Sequence, residues 1–359
     1  MPKTTDLTKK ASGDSLSRER VDFIVEQSKT KQVTPSVLEI IFYVFVLILL
    51  IIGTYSRNGI WNSDIELWTD CVKKSPNKDR PHNNLGNAYT HGGKYREAVA
   101  QLTEALRINP DYADAHNNLG IIYNCQGKHQ EAIAQFAEAL RINPYYPEAH
   151  NNLGSVYTDQ RRYQEAIVQF TEALRINPYY PEVHNNLGSI YAYQRRYQEA
   201  IIQFTEALWI NPSYAEAHYK LGNAYVCQGR YQEAIVQFTE ALRTNPNFAE
   251  ARNNLGNAYI HQGKYQEAIA QFAEALRTNP NFAEVHNNLA NAYSDQGRYQ
   301  EAIAQFTEAL RINPDYAEAH FNIGIAYLKI GDSNSAFKEY QILKKINPGL
   351  ADTFYGKTK

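Results

Sequence analysis

Methionine, cysteine and any surplus of charge are what this 359-residue chain has little of. It contains one Met, and 36 basic residues against 38 acidic ones leave a formal net charge of −2. So even a balance lacks the positive field with which a protein gathers nucleic acid, and no nucleic-acid partner is expected. The three cysteines, Cys71, Cys125 and Cys227, lie far apart and match no metal-cluster or redox spacing. The motifs that bring phosphate or metal chemistry are missing as well: there is no GxGxxG, no GxxxxGK[ST] and no HExxH. The chain reads as a non-enzyme, with no cofactor and no metal site.

Tyrosine, by contrast, is plentiful, with 27 residues, and repetition is the reason. The string NNLG begins at Asn83, Asn117, Asn151, Asn185 and Asn253, and NNLA begins at Asn287; each start is a multiple of 34 residues from the others. The string EAL-x-x-NP keeps the same period and ends at Pro110, Pro144, Pro178, Pro212, Pro246, Pro280 and Pro314. Aligned copies give eight units: 79–112, 113–146, 147–180, 181–214, 215–248, 249–282, 283–316 and 317–350. Within unit three, Leu153 and Tyr157 recur at helical spacing around Gly154. A break follows near residues 160–162, where most other units carry Gly (Gly93, Gly127, Gly229, Gly263, Gly297). A second helical face then runs through Ala166, Ile167, Phe170, Ala173 and Leu174 until Pro178 stops it. Small residues at Gly154 and Ala166 permit close helix approach, and Tyr157 and Phe170 fill the gap between neighbours. One such unit cannot bury its apolar face alone, but a stack of them forms a continuous core.

With Leu, Gly, Tyr, Ala, Phe, Ala and Pro in register over 34 residues, the unit resembles the tetratricopeptide repeat. The resemblance covers residues 79–350. It implies an all-α, right-handed superhelical solenoid of helix-turn-helix repeats, whose first helices line a concave groove that holds a protein partner. One departure is systematic. Where the family has a large aromatic residue, this chain has His (His82, His116, His150, His184, His218, His286, His320) or Arg252. Histidines one unit apart are on the order of a helix pair apart, about 10 Å per packed helix, too far to share a metal. They read as polar residues packed between units.

The groove positions carry a second pattern. Beside each Leu, or Ile323 in the last unit, stand Asn84, Asn118, Asn152, Asn186, Lys220, Asn254, Asn288 and Asn322, and next to these Asn83, Asn117, Asn151, Asn185, Asn253 and Asn287. Asparagine is a poor helix-interior residue. An amide both donates and accepts, so such a row can hold a peptide backbone whatever its sequence; the alternative is hydrogen bonding between neighbouring helices. The row resembles the asparagine ladder in the superhelix of O-linked N-acetylglucosamine transferases, which implies an extended peptide as ligand. An acidic row accompanies it: Asp114, Glu148, Glu182, Glu216, Glu250, Glu284 and Glu318. The basic clamp with which some family members grip a partner's C-terminal carboxylate is missing, since Lys220 stands alone.

The N-terminal region differs. Residues 1–34 are polar and read as a disordered tail. The run from Val37 to Tyr55 has a single charge, Glu39, and the length of a transmembrane helix, expected at 35–56. It predicts single-pass insertion, with the lipid bilayer as a second partner. Arg18, Arg20, Lys29 and Lys31 before the run, against Arg57 after it, place the N-terminus in the cytoplasm and the repeats on the other side. Residues 57–78 read as a linker and a degenerate half-repeat, with Trp61, Leu67, Trp68, Cys71 and Val72 on one helical face. This junction resembles the tail of membrane glycosyltransferases that end in tetratricopeptide repeats, which implies an alternative role as a substrate-recruiting arm of such an enzyme. At the other end only a short tail, 351–359, follows the last unit, so self-association through the C-terminal repeat is a further expectation.

Overall fold

Each repeat is two helices because its sequence carries two stop signals. Unit three shows both. Pro147 opens the first helix, where its fixed φ suits the first turn and its missing N–H is no loss. Glu148 in that turn complements the positive helix end. The helix closes in a Schellman turn: the Arg161 N–H donates to Thr158 O at 2.9 Å and the Arg162 N–H to Tyr157 O at 2.8 Å. That turn needs a left-handed residue, and glycine supplies it at Gly93, Gly127, Gly229, Gly263, Gly297 and Gly331, with φ from 69° to 84°. Arg161 and Arg195 hold the same place at φ 58° and 60°. The second helix ends at Asn177, which is extended (φ −128°, ψ 92°) as a residue before proline must be. Its side-chain oxygen then accepts the Tyr179 N–H at 3.1 Å and turns the chain into the next unit.

The computed structural model describes residues 42–48 and 63–358. Residues 42–48 are helical. They are the only described part of the membrane-spanning run expected at 37–55, and the polar tail at 1–34 lies outside the described residues. Among the described residues no helix is long and apolar enough to cross a membrane. The chain divides into a unit ending at Lys74 and a second beginning at Ser75. The first contains α1 (Asp64–Lys74), within the segment read as a half-repeat.

The second unit is a run of antiparallel helix pairs. They are α2 (Asp79–His91) and α3 (Tyr95–Ile108), α4 (Ala113–Cys125) and α5 (His129–Ile142), α6 (Pro147–Asp159) and α7 (Tyr163–Ile176), and α8 (Pro181–Tyr193) and α9 (Tyr197–Ile210). Then come α10 (Ala215–Cys227) and α11 (Tyr231–Thr244), α12 (Ala249–His261) and α13 (Tyr265–Thr278), α14 (Ala283–Asp295) and α15 (Tyr299–Ile312), and α16 (Ala317–Lys329) and α17 (Ser333–Ile346). Its described residues are all-α, an uninterrupted helical solenoid.

The core sits between successive pairs. Ala166, Phe170 and Ala173 of α7 pack with Val183, Leu187 and Ile190 of α8 in the next unit. Within a unit, the two helices approach so closely that a Cβ on Gly154 would lie 2.7 Å from a ring carbon of Phe170. The six equivalent phenylalanines, from Phe136 to Phe306, are all buried. Each therefore joins its own unit to the following one, and the apolar core runs the length of the stack.

The C-terminus departs from expectation. Pro348 starts a further helix, α18 (Pro348–Thr358), where the sequence reading has only a short tail. Ala351 and Phe354 of α18 are buried in a cluster with Ala336 and Leu343. Phe354 fills the slot against Gly324 that a second-helix phenylalanine fills elsewhere. The chain itself thus covers part of the apolar end on which self-association was expected, while Phe337 and Tyr355 stay exposed there. The capping helix was missed because its sequence, PGLADTFYGKT, carries two glycines and weak amphipathicity.

Candidate peptide-binding face

The first helices α2, α4, α6 and onward touch one another across units, so equivalent residues form rows along one face. The two asparagine rows lie at different depths. Asn83, Asn117, Asn185, Asn253 and Asn287 are buried, and Asn151 is half-buried. Asn84, Asn118, Asn152, Asn186, Lys220, Asn254, Asn288 and Asn322 are half-buried above them. The lower row therefore supports the upper one rather than lining the face beside it.

The rows are joined by rungs between units. Asn118 Nδ2 donates to Asn83 Oδ1 at 3.0 Å, Asn152 Nδ2 to Asn117 Oδ1 at 3.0 Å, Asn186 Nδ2 to Asn151 Oδ1 at 3.1 Å, and Asn288 Nδ2 to Asn253 Oδ1 at 2.9 Å. Each rung fixes an upper amide while using one of its hydrogen-bonding positions. The two roles weighed from sequence, inter-helix bonding and ligand binding, are therefore compatible in one residue. Sequence variation interrupts the ladder. Tyr219 replaces a lower asparagine, and Asn254 Nδ2 turns to its hydroxyl at 3.3 Å and to Asn223 Oδ1 at 2.7 Å. Lys220 replaces an upper one and pairs with Glu216 at 2.7 Å, which leaves Asn185 Oδ1 buried without a partner.

Clefts follow the face. One of about 290 Å³ is lined by Ser155, Asn186, Ser189 and Lys220, and another of about 280 Å³ by Asn223, Asn254 and Asn257. A third, of about 530 Å³, is lined by Asn291, Ser294, Asp295, Glu318, Asn322 and Lys329. Sequence reading missed the row three residues beyond the upper asparagines: Ser155, Ser189, Asn223, Asn257 and Asn291. The i, i+3 geometry of a helix puts them on the same face and was the available signal.

The acidic row, Asp114 to Glu318, is exposed throughout at the N-terminal ends of the first helices. It acts on the half-buried tyrosines beside it. The Tyr214 hydroxyl is pushed up to about 12 by burial and by the Glu216 and Glu182 carboxylates. Tyr316 is likewise pushed up to about 12 by burial, Glu318 and Glu284. Both hydroxyls stay protonated and neutral, and the exposed carboxylates alone make this edge of the face anionic.

The histidines have a different task. His150 Nδ1 meets the Gln169 side chain at 2.8 Å and its Nε2 meets Pro144 O at 3.2 Å. The clip ties the first helix to its own second helix and to the end of the preceding unit. It recurs at His82, His116, His184, His218 and His286, and Arg252 reproduces it with two guanidinium N–H groups on Gln271 and Pro246 O.

Geometry thus defines a class: a helix-pair solenoid with an amide-lined polar face on its first helices. Tetratricopeptide-repeat models match residues 111–178, 145–211, 184–247, 219–281 and 260–304, and further repeat models of the same kind match 86–124, 291–331 and 318–349. The chain belongs to the tetratricopeptide-repeat family.

Among solved structures it is similar to the Cut9–Hcn1 hetero-tetramer of the APC/C (TM-score 0.57, 21% identity, 73% of this chain and 52% of that one). It is also similar to PilW, a type IV pilus biogenesis factor (TM-score 0.53, 22% identity, 58% and 97%). A tetratricopeptide repeat protein from Parabacteroides merdae is a third (TM-score 0.50, 20% identity, 69% and 98%). This chain spans about half the length of the Cut9–Hcn1 chain it matches, and at these identities the likeness is one of fold. No curated protein matches the chain.

Proposed function

We propose that the chain is a membrane-anchored scaffold that holds an extended polypeptide along the amide-lined groove of its first helices. The observation that carries this reading is the rung system. Upper-row amides are held in place by buried lower-row amides, and preorganised donors and acceptors lower the entropy lost on binding. Peptide main chain is the complementary partner, because it offers one donor and one acceptor per residue irrespective of side chain. The test replaces Asn152, Asn186 and Asn288 together by Ala. Peptides selected on the wild-type chain from a random library should lose at least tenfold in affinity, read by fluorescence anisotropy, with helicity unchanged by circular dichroism. Unchanged affinity would remove the ladder from the binding site.

Anchoring rests on the apolar run from Val37 to Tyr55, and orientation on the basic residues that precede it. The exposed thiols Cys125 and Cys227 provide a reporter on the repeats. With the repeats on the non-cytoplasmic side, a membrane-impermeant maleimide labels them in intact spheroplasts or vesicles of matching orientation. Labelling that appears only after the bilayer is opened reverses the orientation.

A further inference from the structure

The second helices present a face that the groove does not use, and units three to five break its repeat. In six units the second helix carries a surface ion pair between a glutamate and the arginine three residues on, at 2.6–2.8 Å, from Glu104–Arg107 to Glu308–Arg311. In unit four Trp209 replaces that arginine, and among the described residues Glu206 has no cation beside it. Trp209 is 68% exposed and meets Tyr179, 65% exposed, with ring centroids 5.9 Å apart. Tyr145, 69% exposed, holds the place of Tyr179 one unit earlier, under the Arg175 guanidinium at 5.9 Å. Every other unit boundary has Asp, Asn or Ser there. Midway along the same helices Val168, Ile202 and Val236 are exposed, where the units on either side have Ala134 and Ala270. Apolar side chains gathered in this way on a surface mark an interaction site.

The opposite ends of α7 and α9 carry a second anomaly. Arg161 and Arg195 hold the left-handed turn position that is glycine in the other units. Both are exposed, and among the described residues neither guanidinium has a hydrogen bond or an ion pair. Nothing within the chain offsets the strain, and strain retained in this way points to a role outside it. Units three and four alone thus combine an unpaired arginine at one end of the second helix with exposed aromatic rings at the other. Ile202 lies midway, seven residues from Arg195 and seven from Trp209. Val168 stands in the same way between Arg161 and Arg175, the residue over Tyr145.

We propose that this face joins two copies of the chain about a two-fold axis running along the stack of repeats. The second helices then meet antiparallel. Val168, Ile202 and Val236 face their own counterparts, and Arg195 of each copy covers Trp209 and Glu206 of the other, as Arg161 covers Tyr145. A two-fold contact requires such self-complementarity, because one patch must contain both halves of every pair. Tryptophan is the best ring for a guanidinium to cover, and Glu206 adds an opposite charge. Trp, Tyr and Arg are also the residues that carry most interface energy. A stable interface buries about 800 Å² per partner. Three aromatic side chains of about 150–250 Å² each, two-thirds exposed, supply on the order of 300–500 Å² of it, and the aliphatic row adds to that. This axis keeps the two stacks parallel, so their first repeats lie at the same end, as the proposed anchoring in one bilayer requires. The groove on the first helices stays open.

The experiment uses the purified full chain in detergent. Sedimentation equilibrium should show a dimer at micromolar concentration. Trp209→Arg restores the ordinary ion pair with Glu206, and Arg195→Ala removes the guanidinium while leaving the turn. Each should raise the dissociation constant at least tenfold, with helicity unchanged by circular dichroism. Register is read with single cysteines in a chain whose Cys71, Cys125 and Cys227 are replaced by Ser. Under mild oxidation Val168→Cys and Ile202→Cys should each give a disulfide-linked dimer, and Ala304→Cys, at the same position in unit seven, should not. Trp209→Cys should link to a second chain carrying Arg195→Cys and not to itself. A chain that stays monomeric, or a dimer indifferent to both Trp209→Arg and Arg195→Ala, overturns the proposal. So does a Trp209→Cys chain that links to itself while Val168→Cys does not, which is the contact of parallel helices. None of these variants alters the first helices, so the peptide-affinity test of the groove stands or falls separately.

Discussion

An arginine held at φ near +60° costs about 1–2 kcal/mol relative to an ordinary backbone conformation, because its Cβ crowds the following carbonyl. Two of the repeat turns carry that burden, at Arg161 and Arg195, where six others use glycine. Nothing fills the space a Cβ would take at Gly127 or Gly229, so the penalty is one of backbone alone. Arg161→Gly and Arg195→Gly are each expected to stabilise the fold by about 0.5–1 kcal/mol, part of the relief being offset by the freedom glycine gains when unfolded. Urea unfolding of the single variants checks this. The reverse holds at Gly154, which is legible in sequence as a small residue but not as a near-contact. There a methyl group would meet Phe170 at 2.7 Å, and Gly154→Ala should destabilise by about 1–3 kcal/mol. Unit seven accepts Ala290 at the same position against Phe306, both fully buried, so the neighbouring ring can adjust and the lower figure is expected. Residue identity announced which slots are small; only packing distances tell which of them tolerate a side chain.

Among elements, the last pair is set apart by its clip. His320 Nδ1 meets Glu339 Oε2 at 2.6 Å and Nε2 meets Pro314 O at 2.8 Å. Elsewhere the partner is a glutamine, whose amide can turn to donate, so a neutral imidazole satisfies both neighbours. Glu339 and a carbonyl are both acceptors, and only an imidazolium serves both. Burial works against the charge, yet the Glu339 hydrogen bond, the Pro314 carbonyl and the charges of Glu339 and Asp315 outweigh it and raise the imidazole above its ordinary value. With the folded value raised, the stabilisation is complete below the unfolded value of about 6.5 and is lost as pH rises through the folded one. The urea midpoint should therefore fall from about pH 6 to pH 8 more in the wild type than in Glu339→Gln, which restores the common clip. An equal fall in both would exclude this pair as its source.

The same terminal pair depends on α18. Truncating Phe354 to Ala should cost about 3–5 kcal/mol. In a stack of nearest-neighbour interactions the damage should stay in the last unit and appear as selective proteolysis there. The helix pairs themselves were readable from period and proline. The clip was not, because its three members lie six and nineteen residues apart and only the fold brings them together. The identity of the odd residue at each repeat's histidine position was visible from the start; its meaning required the carbonyl of the preceding unit.

At the scale of the whole chain, the repeats make one continuous face from many weak positions. The asparagine rows stood out in sequence because the residue is ill suited to a helix interior. Their division into a buried support and a half-buried upper row did not, since adjacent residues on a helix differ in depth only once the neighbouring unit is in place. The row carrying Ser155, Asn223 and Asn291 was equally present in the sequence, and the clefts identify it. Charge is distributed in the same ordered way: exposed carboxylates along one edge, with Lys220 the single cation in the upper row. A segment bound as proposed would meet amides at its backbone and carboxylates at one flank.

The most direct test places a photo-crosslinking amino acid at one position at a time in the full chain, in intact cells that produce it. Asn118, Asn257 and Asn291 sample the proposed groove, and Val168, exposed on a second helix, samples the opposite side of a repeat. The account predicts crosslinks to one polypeptide from all three groove positions and none to it from Val168. Crosslinks to that polypeptide from Val168 but not from the first helices would contradict it.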